Sequence, residues 1–252
     1  MRTLMLFFAI SLVASHGLQA QTTSLPFYDD FSRPDNSSVG SGWTNVSIPG
    51  QQGGALVLQN GKAVLTEADK FGGIYRPVDF SGPLTVQATF SQTSGYGGTL
   101  NRFGNSIVRY NDGTFLNGYA LNFYRGDQNY NNSTVSLAVG TTTQVGSVAS
   151  TFQFSSLINV NATFFQDGSV QGVVSDDNNN TFNFSFGPYA YTPASNANNV
   201  LFAVSGPDSR LGTLTFPTID NISVIPEPST YAVVLGAATL SFVAIRRRRA
   251  AA

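Results

Sequence analysis

The sequence predicts an all-β protein built as an antiparallel two-sheet sandwich, and three observations support this fold class. Between Phe27 and Val224, short runs place apolar residues at alternate positions, as half-buried strands require. Clusters of Gly, Asn and Asp separate about a dozen such runs at the spacing of a β-sandwich. The same region contains no segment of helical periodicity and no alignable repeat of about 20–50 residues, which disfavours a propeller or a solenoid.

Each predicted strand is a run in which apolar and polar residues alternate. The run "ALVLQNGKAVLT" (55–66) predicts a hairpin, because Asn-Gly lies between two alternating segments. Alternation alone predicts the strands "LTVQATFS", "NSIVRY", "GYALNFYR", "STVSLAV" and "NVLFAV". The run "SVQGVVSDDNNNTFNFSF" (169–186) predicts two strands joined by a polar loop, with Phe182, Phe184 and Phe186 on one face.

The N-terminal segment "MRTLMLFFAISLVASHGLQAQ" has the anatomy of a secretory signal peptide. Arg2 supplies the positive end, Leu4 to Ala14 form the apolar core, and "GLQA" ends in small residues before Gln21. A membrane anchor is disfavoured because this apolar core is too short to span a bilayer. We therefore expect residues 1–20 to be a signal peptide and the protein to be exported.

The composition of the remaining chain excludes several chemistries. There is no cysteine, and the only histidine, His16, lies in the predicted signal peptide. A mature chain without His or Cys cannot use Ser-His-Asp or Cys-His catalysis, nor a histidine-ligated zinc. From Gln21 to Ile225 there are eight basic and thirteen acidic residues, a net charge of −5 against −1 for the whole chain. Nucleic acid is therefore not an expected partner.

Three segments resemble parts of concanavalin-like and LamG-like jelly-roll domains. The segments "FYDDFSRPDNSSVGSGWTNV" (27–46) and "GTLTFPTIDNISV" (212–224) resemble their first and last strands. The segment "GYALNFYRGDQNYNNSTVSLAVG" (118–140) resembles their central strand pair. The resemblance implies a jelly-roll sandwich over residues 21–225, in which two curved antiparallel sheets stack and the first and last strands lie side by side.

The same resemblance implies a structural Ca²⁺ site where the first and last strands meet. Asp30 and Asp220 match the positions that supply carboxylate oxygens in such domains, and Ca²⁺ prefers hard oxygen ligands. The alternative is that Asp30 starts a turn and Asp220 binds nearby backbone N–H groups. The sequence leaves both interpretations open.

Catalytic carboxylates are not expected. Jelly-roll glycosidases of this kind use two glutamates on one strand, in a Glu-x-Asp-x-x-Glu pattern that the chain lacks. The remaining acidic pairs are Asp29/Asp30, Asp176/Asp177 and Glu67/Asp69. Adjacent strand residues point to opposite faces, and Glu67 and Asp69, which precede "KFGG", are expected to lie in a solvated loop. The prediction is a non-enzymatic protein, and the alternative is a divergent carbohydrate-active enzyme that uses aspartates.

One stretch has the residue types that bind carbohydrate. Residues 93–119 combine aromatic, basic and acidic residues with Gly-rich turns, and Tyr96, Arg102, Arg109 and Asp112 are the predicted glycan-binding residues. Arg109 and Tyr110 are neighbours on a predicted strand, so alternation allows only one of them to face a groove. The alternative is that these aromatic side chains pack in the core and the arginines lie on the surface.

The C-terminal residues 226–252 combine a Pro-Glu-Pro triplet, an apolar run and an arginine cluster. Residues 229–245 carry no charge and would span about 25 Å as a helix, enough for a short membrane span. Arg246, Arg247, Arg248 and Arg249 follow directly, which predicts a cytoplasmic end. A plain single-pass anchor is the simplest interpretation.

The order of these features at the extreme C-terminus resembles a PEP-CTERM sorting signal. The resemblance implies recognition near Pro226, Glu227 and Pro228 by an exosortase, a membrane protease, with release from a transient inner-membrane anchor. It implies a Gram-negative-type bacterium that makes exopolysaccharide, and delivery to the cell surface or biofilm matrix. The leading hypothesis is thus an exported surface or matrix protein that binds polysaccharide. A purely structural coat protein is the third option.

Overall fold

The computed structural model describes residues 25–46, 53–78, 82–91, 104–113, 117–125, 132–140, 143–193, 197–207 and 214–227. The predicted signal peptide and the C-terminal residues from Pro228 onward lie outside this part of the chain. Within it there are strands but no helix that could cross a membrane. The strands are β1 Phe27–Asp29, β2 Thr44–Val46, β3 Leu56–Gln59, β4 Lys62–Leu65, β5 Phe71–Pro77, β6 Leu84–Ser91, β7 Asn105–Asn111, β8 Tyr119–Tyr124, β9 Thr134–Val139, β10 Thr143–Ala149, β11 Leu157–Phe164, β12 Val170–Asp176, β13 Thr181–Phe186, β14 Asn199–Ser205 and β15 Thr218–Pro226.

These strands form two antiparallel sheets. One has the order β13-β12-β11-β6-β15-β4-β3, with β1 paired to β15, and the other has the order β10-β9-β8-β7-β14-β5-β2. The first strand pairs with the last, with Phe27 opposite Val224. The prediction of an all-β, antiparallel sandwich with adjacent first and last strands is therefore confirmed.

Aromatic side chains fill the space between the sheets. Phe90 of one sheet lies 6.5 Å from Phe202 and 6.4 Å from Phe123 of the other, measured between ring centroids. Trp43 packs edge-on against Phe202 at 5.7 Å. All three phenylalanines are fully buried. Since burying a phenylalanine contributes about 1.5–3 kcal/mol, these contacts are a main source of stability in a chain without disulfides.

Three predictions made from local sequence patterns are confirmed: a turn, a strand pair and a strand face. Asn60 and Gly61 have positive φ in the two-residue turn between β3 and β4, the geometry that Asn-Gly favours. Strands β8 and β9 form the expected antiparallel pair. Phe184 and Phe186 are buried on one face of β13, and Phe182 packs against the same core.

Candidate functional site

One end of the sandwich holds a group of four tyrosines, which we call the tyrosine cluster: Tyr110, Tyr119, Tyr189 and Tyr191. Tyr119 lies edge-on to Tyr110 at 6.1 Å and to Tyr191 at 5.0 Å between ring centroids. Its hydroxyl donates to the backbone carbonyl of Tyr189 at 3.1 Å. Tyr119 is buried, whereas the other three are half-buried. The end of β7, the start of β8 and the segment after β13 therefore meet here.

Arg109 lies under this cluster because the β7 strand is irregular. The pairing with β14 places Arg109 opposite Val200 and Asn111 opposite Asn199, so Tyr110 is an extra residue with a φ of 60°. The expected alternation is therefore broken, and the Arg109 guanidinium carbon lies 3.8 Å from the centroid of the Tyr110 ring. Arg109 is fully buried, and burial lowers its pKa to about 10.

Polar groups of the β7–β8 turn lie beside Tyr191. The Asn117 side-chain amide donates to the Asp112 carboxylate at 2.8 Å, and the Tyr191 hydroxyl is hydrogen-bonded to the Gly118 backbone. Burial raises the pKa of Tyr191, and the negative charge of Asp112 acts in the same direction. A half-buried ring next to a carboxylate and an amide can stack on a sugar ring and bind its hydroxyl groups.

Of the four predicted glycan-binding residues, the structure brings Arg109 and Asp112 to the tyrosine cluster. Tyr96 and Arg102 lie outside the described residues. Because Arg109 is fully buried, it supports Tyr110 from below and does not reach a surface ligand. Tyr189 and Tyr191 were not among the predicted residues. Their signal in the sequence was the motif "GPYAYTP", a proline-bounded loop with two aromatic residues directly after a strand.

The ionisation of Tyr119 provides a test of this geometry. Burial raises its pKa from 10.0 to about 12, and Tyr110, Tyr191 and Asp167 act in the same direction. The buried phenol therefore contributes stability that is complete below pH 10 and is lost as the pH rises to about 12. In an alkaline titration of tyrosine absorbance, Tyr119→Phe is expected to reduce the absorbance change near pH 12 by that of one tyrosine, while the raised pKa of Tyr191 persists. An absorbance change near pH 12 that was as large as in the wild type would contradict the assignment.

The two residues predicted to bind calcium each have protein partners. Asp30 is exposed and accepts hydrogen bonds from the Ser32 backbone at 3.0 Å and from its hydroxyl at 2.6 Å, which lower its pKa. Asp220 forms an ion pair with Lys62 at 3.0 Å. Among the described residues, no group of three or more acidic side chains is arranged to hold a metal ion. The calcium site stays a prediction, in which a cation would compete with Lys62.

The neighbouring carboxylate, Asp29, is the residue that organises the first strand. It is 7% exposed and accepts from the Trp43 indole at 2.7 Å and from the Phe31 backbone at 2.8 Å. Arg33 donates to both of its oxygens, at 2.7 and 3.2 Å. Sequence reasoning treated Asp29 only as one of a pair, although an arginine four residues later and the single tryptophan were available signals.

The start of the predicted sorting signal is part of the sheet. Pro226 is the last residue of β15 and lies opposite Leu84. The Glu227 backbone amide donates to the Pro83 carbonyl at 3.1 Å, and its carboxylate accepts from the Thr85 hydroxyl. Pro228 and the four arginines lie outside the described residues. The triplet thus begins while the chain is still hydrogen-bonded to β6.

Comparison with known proteins supports the fold class. The sequence matches no protein-family model, and no curated protein is significantly similar to it. A seed lectin from Lotus tetragonolobus aligns with a TM-score of 0.56 at 12% identity, over 81% of this chain and 100% of the lectin. The Ca²⁺/Man3GlcNAc-bound exoplasmic/lumenal domain of VIP36 aligns with a TM-score of 0.50 at 15% identity, over 76% of this chain and 90% of that domain.

An enzyme is among the similar structures as well. A β-glucanase from Bacillus licheniformis aligns with a TM-score of 0.51 at 10% identity, over 82% of this chain and 100% of the enzyme. At these identities the likeness concerns the fold. The protein therefore has a lectin-like, concanavalin-like jelly-roll sandwich, as the sequence predicted.

Proposed function

We propose that the protein is an exported, non-enzymatic polysaccharide-binding domain, and that the tyrosine cluster with Asp112 and Asn117 is its glycan site. The observation that carries the proposal is that the β7–β8 turn, in which Asn117 donates to Asp112 at 2.8 Å, is hydrogen-bonded through the Gly118 backbone to half-buried Tyr191. Two of the similar structures support it, since one is named a lectin and the other contains Man3GlcNAc. The expected ligand is a neutral or weakly charged exopolysaccharide, because the domain itself is acidic.

The proposal is tested by a matched pair of isosteric variants. Asp112→Asn is expected to weaken glycan binding roughly 10- to 100-fold, because hydrogen bonds to a charged group are worth about 1.5–3 kcal/mol. Asp177→Asn, an exposed position in the β12–β13 turn, is expected to bind like the wild type. Isothermal titration calorimetry on both variants gives the measurement. Equal affinities would remove Asp112 from the site.

Hydrolysis is the alternative function. It would need a second carboxylate besides Asp112, and Asp167 is the candidate. The charge of Asp167, in the β11–β12 turn, helps to raise the pKa of Tyr119, as that of Asp112 does for Tyr191, so two acidic groups lie near the tyrosine cluster. A glycosidase needs one carboxyl with a raised pKa to act as the acid. Hydrogen bonds from Ser169 lower the pKa of Asp167, so Asp167 is not suited to be that acid.

The proposal includes calcium only as a structural ion, bound by Asp30 and Asp220. Its support is that the VIP36 domain above contains Ca²⁺. Ca²⁺ takes about 6–8 oxygen ligands, of which the described residues offer these two carboxylates and nearby backbone carbonyls. Glycan titrations with and without EDTA test this part, and a melting temperature unaffected by EDTA would count against it.

Sorting by an exosortase is proposed as the route to the surface. It rests on the order of the Pro-Glu-Pro triplet, apolar run and arginine cluster. The double variant Pro226→Ala/Glu227→Gln is expected to remain full-length in the membrane fraction, whereas the wild type is released as a shorter product. The exposed variant Tyr28→Ala serves as the control for folding and export. Normal release of the double variant would contradict the proposed sorting.

A further inference from the structure

The two sheets end in edge strands at both sides of the sandwich, and the two sides differ. Strands β3 and β2 are the edges on one side, and β13 and β10 are the edges on the other. The edge of a sheet presents unpaired backbone N–H and C=O groups, which are available for pairing with another strand. The way in which each edge strand is protected therefore indicates where a strand of another chain could pair with the sheet.

The side with β2 and β3 is closed. The backbone of Asn36 exchanges two hydrogen bonds with Leu58 of β3, at 3.0 and 2.9 Å. Strand β2 has only three residues, and its Asn45 side chain donates to the Leu56 carbonyl at 3.1 Å and accepts from the Leu56 amide at 2.9 Å. These contacts use edge groups that would otherwise be open, so this side offers little room for another strand.

In the part of the chain that the structure describes, the opposite side is open along β10. This seven-residue strand pairs with β9, and no described strand pairs with its other edge. Five of its residues are exposed: Thr143, Gln144, Ser147, Val148 and Ala149. One irregularity, a bulge between Gln144 and Gly146, hinders the pairing of this edge with another strand. The strand lacks the Lys and Pro residues with which natural edge strands avoid pairing.

The neighbouring strands β9 and β13 are also uncharged. No Asp, Glu, Lys or Arg occurs between Asp127 and Asp167, and β13 carries none either. Strand β13 lies close to β10, since a Cβ added at Gly146 would be 2.6 Å from the Phe186 ring. These strands thus carry none of the domain's negative charge, so two copies can approach along them with little repulsion.

We propose that β10 is a self-association strand, which pairs antiparallel with β10 of a second copy and joins the two seven-stranded sheets. A two-fold axis through the strand makes the contact self-complementary, so that it closes as a dimer. An uncharged strand with the β-branched residues Thr143, Val145 and Val148 pairs with itself without like-charge repulsion. This inference does not rest on glycan binding, although Tyr189 of the tyrosine cluster lies beside β10, with its hydroxyl 3.3 Å from a Cβ added at Gly146.

The absence of native cysteine makes a direct test possible. Single cysteines are introduced at each exposed position of β10 in the full-length chain in a mild detergent, and disulfide formation is followed under mild oxidation. Cross-linked dimer is expected at the one or two positions nearest the two-fold axis. Tyr28→Cys, which is 63% exposed on the other sheet, is the matched control and is expected to give no cross-linked dimer, although it still associates through β10. Cross-linking that is no faster on β10 than at Tyr28 would overturn the proposal.

A second variant separates edge pairing from association through other parts of the chain. Ser147→Lys places a charge on the exposed edge and is expected to abolish the wild-type dimer in sedimentation velocity, with an unchanged circular dichroism spectrum. A dimer that survived this substitution, or a wild type that was monomeric throughout the accessible concentration range, would contradict self-association through β10.

Discussion

Replacing Asp29 by alanine is expected to destabilise the domain by about 3–5 kcal/mol, since it leaves the Trp43 indole and the Phe31 amide without their acceptor and removes the ion pair with half-buried Arg33. Asp29 receives hydrogen bonds from Arg33, Trp43 and the Phe31 backbone while only 7% exposed. Trp43 in turn packs against Phe202 in the centre of the sandwich. The loss is measured by urea unfolding, through the shift of the midpoint at constant slope.

The matched control for this variant is the adjacent residue. Asp30→Ala removes a carboxylate of the same type, but one that is exposed and bonded only to its own turn. We expect a much smaller change in the unfolding midpoint. Equal losses for the two variants would show that the buried network around Asp29 does not stabilise the first strand.

Gly168→Ala is the substitution with the second largest expected effect. Gly168 turns the chain between β11 and β12 with a φ of +80°, and an added Cβ would lie 1.9 Å from the Tyr189 carbonyl and 2.6 Å from the Tyr119 hydroxyl. Left-handed backbone costs a non-glycine residue about 1–2 kcal/mol, and the overpacking adds about 1–3 kcal/mol. The variant is therefore expected to lose about 2–5 kcal/mol and to bring the late tyrosine ionisation back towards its ordinary value.

Gly140→Ala isolates the backbone component of that loss. Gly140 lies in the β9–β10 turn with a φ of +71°, and an added Cβ would meet no atom within 4 Å. Only the cost of left-handed backbone applies, about 1–2 kcal/mol. If the two variants unfolded at the same denaturant concentration, the close approach of the β11–β12 turn to the tyrosine cluster would be refuted.

The fold could be predicted because alternation is a local property. Each half-buried strand shows its two faces in its own sequence, as in β6, where Leu84, Val86, Ala88 and Phe90 are buried. Strand β5 was not among the predicted runs, because "FGGIYRP" has two glycines and no alternation. Its place beside β14 depends on close packing with distant strands, which no local pattern records.

The site was harder to predict because it depends on irregularities and on distant segments. The extra residue at Tyr110 brings Arg109 and Tyr110 together, although strict alternation separates them. Tyr189 and Tyr191 follow β13 by only a few residues, but they lie about 70 positions away in sequence from Tyr119, which they contact. Asp112 could be predicted from the sequence, because binding residues often lie in the turns between strands.

Equilibrium binding to purified bacterial exopolysaccharides, with the release of new reducing ends measured in the same samples, tests the central claim most directly. The proposed function predicts saturable binding that Asp112→Asn weakens, with no reducing ends formed above background. Reducing ends that increased with time and disappeared in Asp112→Asn would show a hydrolase. No binding to any polysaccharide, with or without calcium, would contradict carbohydrate recognition altogether.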